Sequence, residues 1–145
     1  MLFSRQNDWK PNIVSLAIFG MATLIFTAGC GTPGKDLPVT TAAATVGTDN
    51  VQVVNVQVKS FYFKPSRIEV MANKPLRLVL TKSSLIVPHN FSIHAPDAGI
   101  DIDKNVGHGN KVIVEFTPTK PGEYQFFCDK DGHAKKGMVE TLVVK

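Results

Sequence analysis

The chain holds little cysteine, few charged residues and no run of helical periodicity. Two cysteines, Cys30 and Cys128, stand in 145 residues. That excludes a disulfide-dense scaffold and any four-cysteine zinc or iron–sulfur site. Charged residues are 19% of the chain; the net charge is +4 and the pI about 9.1, with no long Lys/Arg block. Scattered basicity of this kind leaves no nucleic-acid footprint and is read as steering toward an acidic partner. No stretch of about a dozen residues carries apolar positions at helical spacing with caps, which excludes a helical bundle. A hydrophobic share of 43% argues against general disorder. The length suits one domain rather than two.

One long apolar run is present, and it lies at the start. Ile13 to Ala28 carries no charge, follows Arg5 and Lys10, and ends in the small residues Gly29-Cys30-Gly31. It is shorter than the roughly 20 residues of a spanning helix, so residues 1–29 are read as an export signal. Thr27-Ala28-Gly29-Cys30 resembles the lipoprotein box of bacteria. The resemblance implies that Cys30 is lipidated and becomes the first mature residue; an uncleaved anchor or cleavage elsewhere stay open. Each version exports the domain. With the signal gone, the chain keeps 14 basic and 11 acidic residues; if Cys30 is lipidated, Cys128 is the one free thiol. A lone thiol in an oxidising compartment invites oxidation unless something occupies it. Residues 31–50, rich in Thr, Ala, Gly and Pro, read as a flexible tether. Gly29 to Lys35 matches the spacing of a phosphate-binding loop by chance, because Asp36 stands where Ser or Thr is needed.

Residues 51–145 read as about eight short strands: 51–58 continued by 60–63, 67–71, 76–81, 89–94, 111–117, 123–128 and 137–145. Gly and Pro punctuate them. The pattern predicts an all-β domain, a Greek-key antiparallel β-sandwich. Strand parity turns Tyr124, Phe126 and Cys128 to one face, and His89, Phe91 and Ile93 likewise. Cys128 and His89 therefore project inward at strand ends, where loops meet the core. His94 has the opposite parity and His108 lies in a Gly-His-Gly loop; neither is read as a ligand.

Residues 128–138, CDKDGHAKKGM, place Cys128, His133 and Met138 at a C-x4-H-x4-M spacing. One loop between two strands can deliver all three to one point, and His89 comes from a neighbouring strand. A thiolate, two imidazoles and a thioether suit copper far better than calcium, magnesium or manganese. Two His and one Cys with a weak axial Met is the recurring arrangement of blue-copper electron-transfer sites. Taken singly, Cys128 and Met138 could be core filler, His89 a structural histidine and His133 a surface residue. The joint spacing, the inward parity and the strand-end positions favour a metal site.

Residues 88–93 (PHNFSI) and 121–139 (PGEYQFFCDKDGHAKKGMV) resemble the cupredoxin family of blue copper proteins, with a ligand spacing most similar to auracyanin and rusticyanin. The resemblance covers about residues 51–145. It implies one copper ion, cycling between Cu(II) and Cu(I), held by His89, Cys128, His133 and Met138. It implies that Asn90 ties the ligand loops together by hydrogen bonding. It further implies that His133 presents an exposed ring edge through which electrons pass. Asp129-Lys130-Asp131 and Glu140-Thr141 depart from the family pattern.

The expected function is a one-electron carrier between membrane-associated redox partners, not an enzyme. Lys130, Lys135 and Lys136 would form a basic rim for an acidic partner. The chain is expected to be a monomer, to bind no nucleic acid, and to sit at a periplasmic or other extracytoplasmic membrane surface. Copper trafficking or resistance uses the same ligands and is the alternative; the four methionines form no cluster that would favour it. A Cys128–His133 nucleophile lacks an orienting acid and leaves Met138 unexplained.

Overall fold

The computed structural model describes residues 37–145. The export signal, Cys30 and residues 31–36 lie outside the described residues. Eleven strands follow in order: β1 (Thr41–Ala43), β2 (Thr45–Val46), β3 (Gln52–Lys59), β4 (Tyr62–Lys64), β5 (Arg67–Val70), β6 (Leu76–Lys82), β7 (His89–Ala95), β8 (Ile100–Val106), β9 (Lys111–Phe116), β10 (Gly122–Phe127) and β11 (Val139–Val144). Among the described residues the only helices are three single 3-10 turns, and none is long and apolar enough to cross a membrane.

The strands form two sheets, one ordered β1-β5-β11-β10-β7-β8 and the other β2-β3-β6-β9 with β4 added to β3. The all-β sandwich is as the alternation predicts. It is mixed rather than purely antiparallel, because β3 with β6, β1 with β5, and β5 with β11 pair in parallel. Alternation explains the core. Val54, Val56 and Val58 of β3 and Leu76, Leu78 and Leu80 of β6 are all buried, while Asn55, Gln57, Arg77 and Val79 between them are not. Each such apolar side chain contributes about 1.5–3 kcal/mol by leaving water.

Three strands escape the sequence reading. The stretch 31–50, whose composition marks a tether, contributes β1 and β2. β1 pairs with Arg67–Glu69 and β2 with Gln52–Val53, one in each sheet. Their side chains are mostly exposed, so backbone pairing holds them and no apolar pattern announces them. β8 is the third. Residues 60–63 do not continue β3: the chain reverses at Ser60-Phe61, and β4 returns antiparallel, pairing Lys59 with Tyr62. Phe61 adopts φ +68 at that turn. The other non-glycine residues with positive φ among the described residues are Asn50, Asn73 and Asp131, types that tolerate the left-handed region. A residue of phenylalanine's bulk costs on the order of 1–3 kcal/mol there.

Candidate metal centre

Sheet pairing brings the ligand segments together. β7 lies beside β10, with Phe127 opposite Ser92, and β10 pairs with β11 along its whole length. His89 opens β7, Cys128 follows β10 by one residue, and Met138 precedes β11 by one. Beneath them Phe63, Phe91 and Phe126 pack ring on ring, with centroids 5.1–5.8 Å apart. Three buried aromatic rings make a stiff floor for the site.

The loop from Cys128 to Met138 is closed by its own backbone. The Cys128 N–H donates to the Met138 carbonyl at 3.2 Å, and the Met138 N–H donates to the His133 carbonyl at 3.1 Å. Two 3-10 turns, Lys130–Gly132 and Ala134–Lys136, lie on either side of His133. Gly137, at φ +97, lets the chain double back into β11, a conformation that side chains oppose.

The structure brings His89, Cys128 and His133 together: one ligand atom from each lies within 4.8 Å of the others. Cys128 Sγ is 3.3 Å from His133 Nδ1 and 3.9 Å from His89 Nδ1. The two imidazole rings are 4.9 Å apart. His89, Cys128, His133 and Met138 are all buried. Among the described residues, His94 and His108 are exposed and outside the cluster; His94 Nδ1 instead faces Asp101 at 2.8 Å.

Burial sets the protonation of the donors. Loss of water, then the neighbouring His133 and Lys82, push His89 down to about 4. Burial and Lys136 lower His133 as well. Both rings are therefore neutral near pH 7 and offer lone pairs, which is the state a metal requires. Among the described residues no carboxylate joins the cluster. Soft sulfur and borderline nitrogen donors without oxygen fit copper and do not fit calcium or magnesium. Among the described residues His89 Nε2 is buried with no hydrogen-bond partner.

Asn90 buckles the two ligand segments together. Its Oδ1 accepts from the Asp129 N–H at 3.0 Å, next to Cys128. Its Nδ2 donates to Ser92 Oγ and Asp103 Oδ1, both at 2.8 Å. Its backbone N–H points at Cys128 Sγ from 3.4 Å, and such a donor stabilises negative charge on sulfur. The hydrogen bond from Asn90 holds the Asp103 carboxyl below its ordinary range.

The exposed ring edge implied for His133 is not what the fold builds. His133 does not present an exposed edge; it is 3% accessible. Phe61 packs against it with centroids 5.0 Å apart and ring planes at 88°, and Lys136 Nζ sits 4.5 Å from the Phe61 centroid. Phe61, Ser92 and Asp103 are the residues at this site that sequence reasoning misses. For Asp103 a signal existed in the alternation Ile100-Asp101-Ile102-Asp103. For Phe61 none did, since its contacts depend on the turn. Beside the loop, a cleft of about 480 Å³ is lined in part by Tyr62, Ala134, Gly137 and Glu140. Burial there raises Glu140 to about 7.

A two-layer β-sandwich with a buried His-Cys-His cluster and a buried methionine at one loop defines a class of metalloprotein scaffold. The chain belongs to the cupredoxin-like domain family, whose pattern matches residues 20–142. It is 30% identical over 97 residues to cytochrome c oxidase subunit 2 of Thermus thermophilus, covering 66% of this chain and 67% of that protein. The fold is shared with reduced auracyanin of Roseiflexus castenholzii (TM-score 0.55, 18% identity, 68% of this chain and 99% of that one). It is also shared with the metal-binding domain of a Cu(I)-exporting P-type ATPase of Streptococcus pneumoniae (TM-score 0.60, 14% identity, 75% and 99%).

Proposed function

We propose that this chain is an exported one-electron carrier built on a single copper ion, tethered to an extracytoplasmic membrane surface through Cys30. The observation that carries the reading is the meeting of two neutral imidazole nitrogens and one thiol sulfur in a buried place. Copper bound there supplies a one-electron couple, Cu(II)/Cu(I). His89, Cys128, His133 and Met138 would hold it.

The chain's own task is to keep those donors still and dry. Three of them lie in one loop whose ends are hydrogen-bonded to each other. The fourth sits on a strand fixed by β8 and β10. A held ligand set moves little when the charge at the site changes, which suits electron exchange. A buried set offers a substrate no open coordination position, which favours a carrier over an enzyme. The similarity to a subunit of an enzyme that oxidises cytochrome c fits a role among one-electron protein partners. Lys135 and Lys136 are exposed and Lys130 partly so, giving a basic rim for an acidic redox protein met as a monomer in transient encounters.

Voltammetry of the copper-loaded full chain tests this. The expected result is a reversible one-electron wave that persists on cycling. Loss of copper on each reduction, or a Cu(I) form that cannot be reoxidised in place, would replace the carrier reading with copper trafficking.

A further inference from the structure

The Ser60-Phe61 turn is built against the preferences of its residues. Lys59 pairs with Tyr62, so Ser60 and Phe61 are the two central positions, and Phe61 has positive φ. Gly or Asn ordinarily fills such a place. The aromatic and the cation contact of its ring are both with the metal loop: the His133 imidazole and the Lys136 ammonium. The turn belongs to the other sheet, so nothing in the hairpin itself asks for an aromatic ring there.

His133 shows what the ring is for. It lies in mid-loop between exposed neighbours, Asp131 and Gly132 before it and Lys135 and Lys136 after it. Yet its own side chain is buried. An imidazole so placed needs a cover from outside the loop. Two rings supply it: buried His89, 4.9 Å away, and Phe61, 5.0 Å away and partly exposed, which is therefore the one between the imidazole and water.

We propose that Phe61 is a positioning residue for the metal centre: its ring, held in a disfavoured backbone conformation and capped by Lys136, packs on His133, keeps water from it, and holds its Nδ1 toward Cys128. The proposal rests on reading His133 as a ligand. Apolar cover of a ligand controls solvent access and so the potential of the site. Water at the uncovered imidazole would favour the more highly charged Cu(II) form.

The test compares Phe61→Gly, which removes both ring and backbone conflict, with Phe61→Tyr, which keeps the ring. The first readout needs no metal: carbethoxylation of the histidines of the metal-free full chain by diethyl pyrocarbonate, followed by peptide mass. Exposed His94 is the reference, and buried His89, which reports general loosening, is the control. His133 should react about ten-fold faster or more in Phe61→Gly, and within about two-fold of the parent in Phe61→Tyr. If the glycine variant does not fold, Phe61→Leu carries the same comparison, an apolar side chain without the aromatic face. An unchanged His133 rate in both, or Phe61→Tyr as fast as Phe61→Gly, overturns the proposal.

The second readout is the copper potential, expected to fall in Phe61→Gly and to return in Phe61→Tyr. A chain that takes up no copper while showing the His133 acceleration would sink the carrier reading and leave the cover standing. Copper uptake with no acceleration would do the reverse.

Discussion

Replacing Asn90 by alanine should loosen the centre from outside the ligand set. The side chain is fully buried and makes three hydrogen bonds: from the Asp129 N–H, to Ser92 Oγ and to the Asp103 carboxylate. Two are between neutral groups, each about 0.5–1.5 kcal/mol net, and the one to the carboxylate is about 1.5–3 kcal/mol. Asp103 is exposed and recovers water, so part of its loss is returned. The expected cost is about 2–4 kcal/mol. For a domain of this size it lowers Tm by roughly 8–20 °C. Urea unfolding of the metal-free full chain measures it, with an unchanged slope required for a clean comparison. Ser92→Ala keeps the Asp129 and Asp103 bonds of Asn90 but loses the Ser92 Oγ bond to Asp103 as well, and should cost about 1–3 kcal/mol. The backbone donor to Cys128 Sγ survives in both variants. A loss below about 1 kcal/mol in Asn90→Ala would refute the view that this side chain buckles the two segments.

Three further outcomes follow from the same geometry. His89 is depressed to about 4 by burial, so the unfolded chain binds its proton first as pH falls. Metal-free stability contributed by this ring is full above about 6.5 and drains between there and about 4. Denaturant midpoints across that range should fall, and His89→Gln should flatten the fall; a parallel curve would contradict the assignment. Glu140 has the opposite sign. Its carboxyl is raised to about 7 by burial, so its stabilising neutral form is lost as pH rises from about 4.5 through 7. Glu140→Gln should therefore gain about 1–3 kcal/mol at pH 8 and little at pH 5, checked by the same melts. Met138→Leu keeps the volume of a fully buried side chain and should shift stability by less than about 1.5 kcal/mol. In the copper-loaded chain it should raise the reduction potential, because Met138 would supply copper with a weak sulfur donor that leucine lacks. A lowered potential would count against Met138 in that role.

Much of the site was legible because most of it is local. Cys128, His133 and Met138 fall in eleven consecutive residues, and strand parity alone turned Cys128 and His89 inward. Their convergence needed only that β7 and β10 be neighbours, as they are. What was hidden is either carried by backbone or by distant contacts. β1 and β2 lack an apolar face: they are short edge strands, mostly exposed and paired by main chain along one side only. β8 reads as polar because Asp101, Asp103, Lys104 and Asn105 face solvent while Ile100, Ile102 and Val106 are buried. The burial of His133 is the clearest case. Its loop is hydrophilic, and the ring that covers it arrives from residue 61, across the sandwich, on a turn whose φ no composition rule assigns to phenylalanine.

The buried donors, their spacing and the fold converge on copper ligated by Cys128. The most direct test is the visible and EPR spectrum of the full chain after addition of Cu(II), set beside Cys128→Ser. The account predicts an intense blue or green absorption with narrow copper hyperfine splitting, bleached by reductant and absent from the serine variant. A pale complex with wide splitting, or colour that survives Cys128→Ser, would contradict it.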